Sequence, residues 1–198
     1  MNRREASAAA TREALLAAAR SAFGKLGYAE VSLAEIARDA RATTGALYHH
    51  FADKRSLFAA VAEDIEAELV AHLRRSAPQT RDLWAVLTYA VTESLAYAAR
   101  PGIANVIFKE APSILGAAVW REIEMRYAFG QMHALLGNLA KVGELGDYDP
   151  SLVAGILLGS TIQAVDAVVT SAEPHRALEQ ARAAMLAVIA AFRKGSET

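Results

Sequence analysis

The chain of 198 residues contains no cysteine, so disulfide stapling and thiol chemistry are excluded, and a reducing cytosol is the expected compartment. Only five prolines interrupt it, and with alanine abundant this favours helix throughout. Catalytic signatures are missing. There is no P-loop or dinucleotide glycine fingerprint, and the five histidines (His49, His50, His72, His133, His175) form neither an HExxH zinc pattern nor a Glu-x-x-His di-iron pair. No enzyme activity, cofactor or metal is therefore expected. The longest apolar run, residues 152–169, carries Gln163 and Asp166 without flanking positive charge, which argues against a membrane span. At the N-terminus Arg12, Glu13 and Arg20 interrupt any signal-peptide apolar core, and Arg3 and Arg4 read as a flexible basic arm.

A large net charge is also missing. The formal balance is −1, but residues 1–60 hold nine Lys/Arg against six Asp/Glu (+3), and residues 61–198 hold twelve against sixteen (−4). The basic excess falls on the stretch with the strongest local pattern, VSLAEIARDARATTGALYHHFADKRSLF at 31–58. Ser32 and Glu35 are spaced as a capping box, with Leu33, Ile36, Ala37 and Ala40 on one apolar face behind it. Thr43 can cap a second short helix that buries Leu47 and Phe51 and leaves Thr44, Gly45, Tyr48 and His49 on an outward stripe. A small residue, hydroxyls and an imidazole on one stripe suit close approach to a major groove. Asp53 follows as an N-cap, with Lys54 in the first turn, where the helix dipole disfavours a cation unless it meets a phosphate. The pattern is a helix-turn-helix, with Ser32, Thr43, Thr44, Gly45, Tyr48, His49 and Lys54 as candidate DNA contacts.

Gly27-Tyr28 followed by this stretch resembles the DNA-binding half of the TetR family of bacterial transcriptional repressors, in the TetR/AcrR-like pattern of a GY joint, a capped helix, a turn, a recognition helix ending in LYxxF, and a lysine shortly after. The match is specific over residues 10–60; beyond them it extends to length, helical pattern and helix order. At Arg41 the chain departs from the glycine common in the family's turn, at a cost of roughly 1 kcal/mol if a left-handed backbone is kept. The resemblance implies a homodimer on double-stranded operator DNA, acting in the cytoplasm and released by a small-molecule effector.

The expected fold is all-α: a three-helix helix-turn-helix DNA-binding domain at 1–55 and a helical ligand-binding and dimerisation domain at 56–198. Helices are expected over 11–26, from Asp53 to Ser76, over 81–99, around 103–110 with Pro112 ending it, over 114–140 as one long helix, from Asp149-Pro150 to Thr170, and from Pro174 to Phe192. In the first of the last two, Gly155 and Gly159 are four apart on one face, a spacing for close backbone approach, and Ile162 belongs to an apolar circumference too broad for one partner helix; in the second, Leu178, Met185 and Phe192 lie on a regular apolar stripe, and the resemblance implies a four-helix interface with a second copy. Core packing within one subunit is the alternative. Between them, Trp84, Phe108, Trp120, Glu124, Tyr127 and Gln131 are the candidate effector contacts, mixing aromatic area with hydrogen-bonding groups. A regulator controlled by a protein partner, or a helical enzyme or carrier, remains the alternative reading of function.

Overall fold

The computed structural model describes residues 3–195, with side chains from Glu5 onward, and it is all-helical: α1 (Arg3–Glu30), α2 (Leu33–Asp39), α3 (Thr44–His50), α4 (Lys54–Ser76), α5 (Leu83–Ala98), a π-helical segment (Asn105–Glu110), α6 (Ala111–Leu115), α7 (Ala117–Arg126), α8 (Ala128–Lys141), α9 (Pro150–Val169) and α10 (Pro174–Ala190). Among the described residues the extended pairing is a single isolated bridge, Leu145 with Arg193. Helix starts follow the expected chemistry. Thr43 Oγ1 accepts from Ala46 N–H at 3.1 Å, and Asp149 Oδ1 accepts from the N–H groups of Ser151 and Leu152 at 2.8 and 3.0 Å. Asp53 Oδ1 takes the Ser56 N–H at 2.6 Å while Ser56 Oγ accepts from Asp53 N–H, a reciprocal pair that opens α4.

Two compact units emerge, and they do not follow chain order. The first contains residues 1–65 together with 101–120; the second contains 66–100 and 121–198. In the first, Leu15, Leu16, Ala19 and Phe23 of α1 share a core with Ile36, Ala37, Leu47, Phe51, Leu57 and Phe58, while Leu26 of α1 is 59% exposed. In the second, Leu87, Val91 and Leu95 of α5 pack with Leu136 and Leu139 of α8, Val153, Leu157 and Val165 of α9, and Met185 and Ile189 of α10. α9 is the one helix among the described residues long and apolar enough to cross a membrane, a test that a core helix also passes. Its apolar character serves this bundle on one side.

Several elements differ from the sequence reading. α1 reaches back to Arg3, so the expected basic arm has a helical backbone, while the side chains of Arg3 and Arg4 lie outside the described residues. The non-helical Gly27 (φ 79°, ψ 165°) breaks α1 where a stop was expected, with a further turn after it. Pro112 does not end its helix. It sits in the first turn of α6, where a missing N–H costs nothing, and the π-helical segment before it takes up the change in register. The long helix over 114–140 is three pieces, broken at Gly116 and at Tyr127. A tight turn from Tyr127 N–H to the Glu124 carbonyl (3.1 Å) closes α7, and a Cβ at residue 130 would collide with the Met125 carbonyl oxygen, so Gly130 is what lets α8 begin so close to the end of α7. Tyr127 itself has φ −120° and ψ −131°, outside helical geometry. The turn at Arg41 keeps the left-handed conformation (φ 54°), closed by Arg41 N–H to Arg38 O and Ala42 N–H to Ala37 O, a Schellman arrangement made without glycine.

Candidate nucleic-acid interface

α3 is only seven residues long, and its inner side is fixed by Leu47 and Phe51, fully buried and 5% exposed. Burying positions 47 and 51 puts 44, 45, 48 and 49 outward by helical geometry, and Thr44, Gly45, Tyr48 and His49 are all exposed, Tyr48 by 53%. Nothing but the Thr43 hydroxyl lies within 4 Å of where a Gly45 Cβ would be, so the backbone there is open for close approach. Arg12 lies over the Phe51 ring at 5.4 Å and adds a cation beside the end of α3.

The remaining expected contacts are placed differently. Ser32 is the exposed N-cap of α2 in an extended conformation, but its side chain makes no capping bond, so the expected capping box is not formed and the hydroxyl is left outward. Thr43 is exposed, its oxygen engaged as the α3 cap. Lys54 is half-buried. Its Nζ donates to the Ala29 carbonyl at 3.1 Å and stands 4.6 Å from the Tyr28 ring centroid, a tie between the starts of α4 and the end of α1 that spacing alone did not disclose. One of the three ammonium donors is so used.

The expected effector contacts divide between the units. Phe108 and Trp120 belong to the first, Trp84, Glu124, Tyr127 and Gln131 to the second. The stripe 120, 124, 127, 131 is not one helical face, because the chain leaves helical geometry at Tyr127. Trp84, Trp120 and Glu124 are buried, Tyr127 and Phe108 half-buried, and Gln131 is exposed. Met125, on α7 before the same joint, is 43% exposed, and Leu136, on α8 after it, is buried. For the expected dimer contacts, Gly155 and Gly159 are exposed, and Ile162, Leu178 and Phe192 half-buried. Met185 is 2% exposed and packs into its own protomer, one position away from the exposed Leu186.

Glu66 was not anticipated, although it was readable as the charged misfit in a buried run of Ala62, Ile65, Leu69 and Val70. Its carboxylate accepts the Ala128 N–H at the start of α8, whose own N-cap residue supplies no side-chain bond. Burial, and then the charge of buried Glu124, lift its carboxyl from 4.5 to about 7 against the pull of that N–H. Arg121 Nε lies 3.8 Å from Glu124 Oε2 and offsets part of the second charge. The interior of the second unit thus holds two carboxyls, one of them titrating near neutrality.

Comparison with known proteins bears on both units. Residues 15–61 match the family described as bacterial regulatory proteins, tetR family, and residues 84–192 match that described as tetracyclin repressor-like, C-terminal domain. The chain is 28% identical over 149 residues to the transposon Tn10 TetC protein of Escherichia coli, covering 75% of each. Over 61 residues it is 46% identical to the HTH-type transcriptional repressor BepR of Brucella suis, 31% of this chain and 29% of that protein. A crystal structure of a TetR-family transcriptional regulator from Pectobacterium atrosepticum superposes with a TM-score of 0.76 at 30% identity, covering 100% of both chains.

The position of Glu66 makes a pH dependence of stability. Because the folded chain holds this proton more tightly than the unfolded one, stability is greatest below about pH 4.5 from this group and falls as pH rises toward 7, by about 3 kcal/mol in all. Urea melts at pH 5 and 7.5 should show a smaller loss for Glu66→Gln than for the natural chain. Equal pH slopes would remove Glu66 from the account.

Proposed function

The chain belongs to the TetR family of bacterial transcriptional regulators, and we propose that it is a homodimeric repressor released from operator DNA by a small apolar or aromatic molecule. The observation that carries the DNA-binding site is the outward stripe of α3, Thr44, Gly45, Tyr48 and His49 over buried Leu47 and Phe51. In this reading Thr44 and His49 face base edges, Tyr48 and Lys54 hold phosphates, Gly45 permits close approach, and Ser32 and Thr43 offer hydroxyls at the flanking caps. The +3 balance of residues 1–60 is modest, and pairing two heads doubles it. The DNA-binding domain is taken as residues 1–55 and the regulatory domain as 56–198, acting in the cytoplasm. Neither catalysis nor a cofactor enters this reading.

Dimerisation is assigned to the outer faces of α9 and α10. Leu152, Ile156 and Val169 on α9 and Leu186 on α10 are large apolar side chains 38–59% exposed, with Gly155 and Gly159 exposed between them. Such a face is expected to be covered by its symmetry mate, and a two-fold axis gives the paired half-sites a DNA reader uses. Within the second unit the effector is assigned to the region of Glu124 and Tyr127, where a buried carboxyl meets a half-buried aromatic at a break between helices. The mechanism is linkage: an effector lowers DNA affinity by the factor by which DNA lowers effector affinity.

Selection from random duplexes should return a two-fold symmetric site for the natural chain, and an altered consensus for Thr44→Ala and His49→Ala; no enrichment would reject DNA reading by α3. On the selected duplex, Lys54→Ala should reduce the salt slope by about one unit. An unchanged slope would leave Lys54 as the tie to Ala29 alone. A Cβ at Gly159 meets nothing within 4 Å in the protomer, so Gly159→Arg should spare folding and cost the dimer several kcal/mol. Sedimentation showing this variant still dimeric would displace the interface. Small aromatic compounds that release the duplex should bind at least about tenfold more weakly to Glu124→Gln or Tyr127→Ala, and unchanged release by both variants would move the effector site elsewhere.

A further inference from the structure

Residues 101–120 sit within the first unit although 35 residues of the second precede them in the chain. Four ties fasten them. A Cβ at Gly24 would stand 3.0 Å from Gly102 Cα, so the two backbones all but touch. Asn105 Nδ2 donates to the Phe23 carbonyl at 3.4 Å. Arg55 donates from Nε to the Ile114 carbonyl at 3.1 Å and from Nη2 to the Leu115 carbonyl at 2.8 Å, closing the end of α6. Between these, the Tyr28 N–H donates to both oxygens of Glu110, at 2.8 and 3.0 Å.

The Glu110 contact falls at the joint between α1 and α2. Gly27 stands outside helical geometry, so the Tyr28 N–H leaves the helical ladder at a half-buried position, and the carboxylate takes it as a charge-assisted bond. Any side chain at residue 27 would put its Cβ 2.8 Å from Glu110 Oε1. The positive φ at Gly27 is what calls for glycine, and the Glu110 carboxylate occupies the space its missing side chain leaves. The joint they fix is central to the head: the Tyr28 ring stacks on Phe23 at 5.9 Å and meets the Phe58 edge at 5.3 Å, Lys54 lies over it, and α2 begins five residues later at Leu33. We propose that Glu110 is a positioning residue for DNA reading, its carboxylate holding the Gly27-Tyr28 joint in the conformation from which α2 and α3 are presented, and that DNA affinity is controlled from residues 101–120 through this bond. The proposal rests on the assignment of α3 to DNA and names how that site is regulated.

The test uses the full chain. In Glu110→Ala the Tyr28 amide proton should move upfield and exchange at least about tenfold faster, with faster exchange at Leu47 and Tyr48, and affinity for the duplex selected on the natural chain should fall about tenfold or more. Glu110→Gln, which keeps an acceptor oxygen and the side-chain length, should recover most of that affinity. A purely structural role predicts a lower melting temperature with affinity unchanged where the variant is folded, and that result overturns the proposal, as does an unchanged Tyr28 amide. Should Glu110→Ala not fold, Glu110→Asp decides: it keeps the charge but falls a methylene short of Tyr28, and natural affinity in it overturns the proposal. Should the natural chain enrich no duplex, the DNA assignment fails separately; unchanged exchange at Leu47 and Tyr48 in Glu110→Ala then overturns the positioning role by itself.

Discussion

A helix of seven residues does not persist in water by itself, because nucleation costs more than so few hydrogen bonds return. α3 exists because Leu47 and Phe51 are buried against the rest of the head and because Thr43 satisfies an orphan N–H at its start. Everything outward on it is set by that inward constraint. If residues 47 and 51 were exposed, Thr44, Tyr48 and His49 would have no common direction, and a stripe of polar side chains would carry no register with which to address a groove.

What was legible in the sequence was the chemistry that acts over a few residues. Thr43, Asp53 and Asp149 cap where their side chains and the following apolar rhythm require, and Gly27 breaks α1. The outward stripe followed from the same local rules. What was not legible depends on distant partners. Ser32 and Glu35 have capping-box spacing and form no box. The break at Tyr127 carries no proline, and its cause is tertiary: Glu66, some sixty residues earlier, supplies the acceptor for the Ala128 N–H, and Gly130 leaves room beside Met125. Read as one continuous helix, residues 120–131 placed Trp120, Glu124, Tyr127 and Gln131 on a shared face; the broken helix does not.

Lys54 and Arg41 show how one residue type serves two constraints. Lys54 opposes the helix dipole at the start of α4, and the sequence offers phosphate as compensation. The structure supplies a nearer one in the Ala29 carbonyl and the Tyr28 ring, which explains the residue's half-burial. Arg41 keeps a backbone conformation suited to glycine, φ 54°, at a cost of roughly 1 kcal/mol. The turn between α2 and α3 is thus retained at the expense of strain, consistent with its geometry being set by the packing of the two helices it joins.

Chain order and compactness diverge at residues 101–120, and this divergence has a mechanical meaning. A head made only of residues 1–65 would be free to keep its shape whatever happened later in the chain. Here the head includes a segment whose chain runs on at one end from residues 66–100 and at the other into residues 121–198 of the second unit. Linkage requires that an effector bind two states of the protein with different affinity, and the states must differ at the reading helix for DNA to sense it. The bonds from Glu110, Asn105 and Arg55 are short-range and directional, so they pass on displacement of the segment where a loose apolar contact would slide. Of these, the carboxylate on Tyr28 acts at the point where α1 ends and the chain turns toward α2, which makes it the place where a small shift is converted into a change of direction.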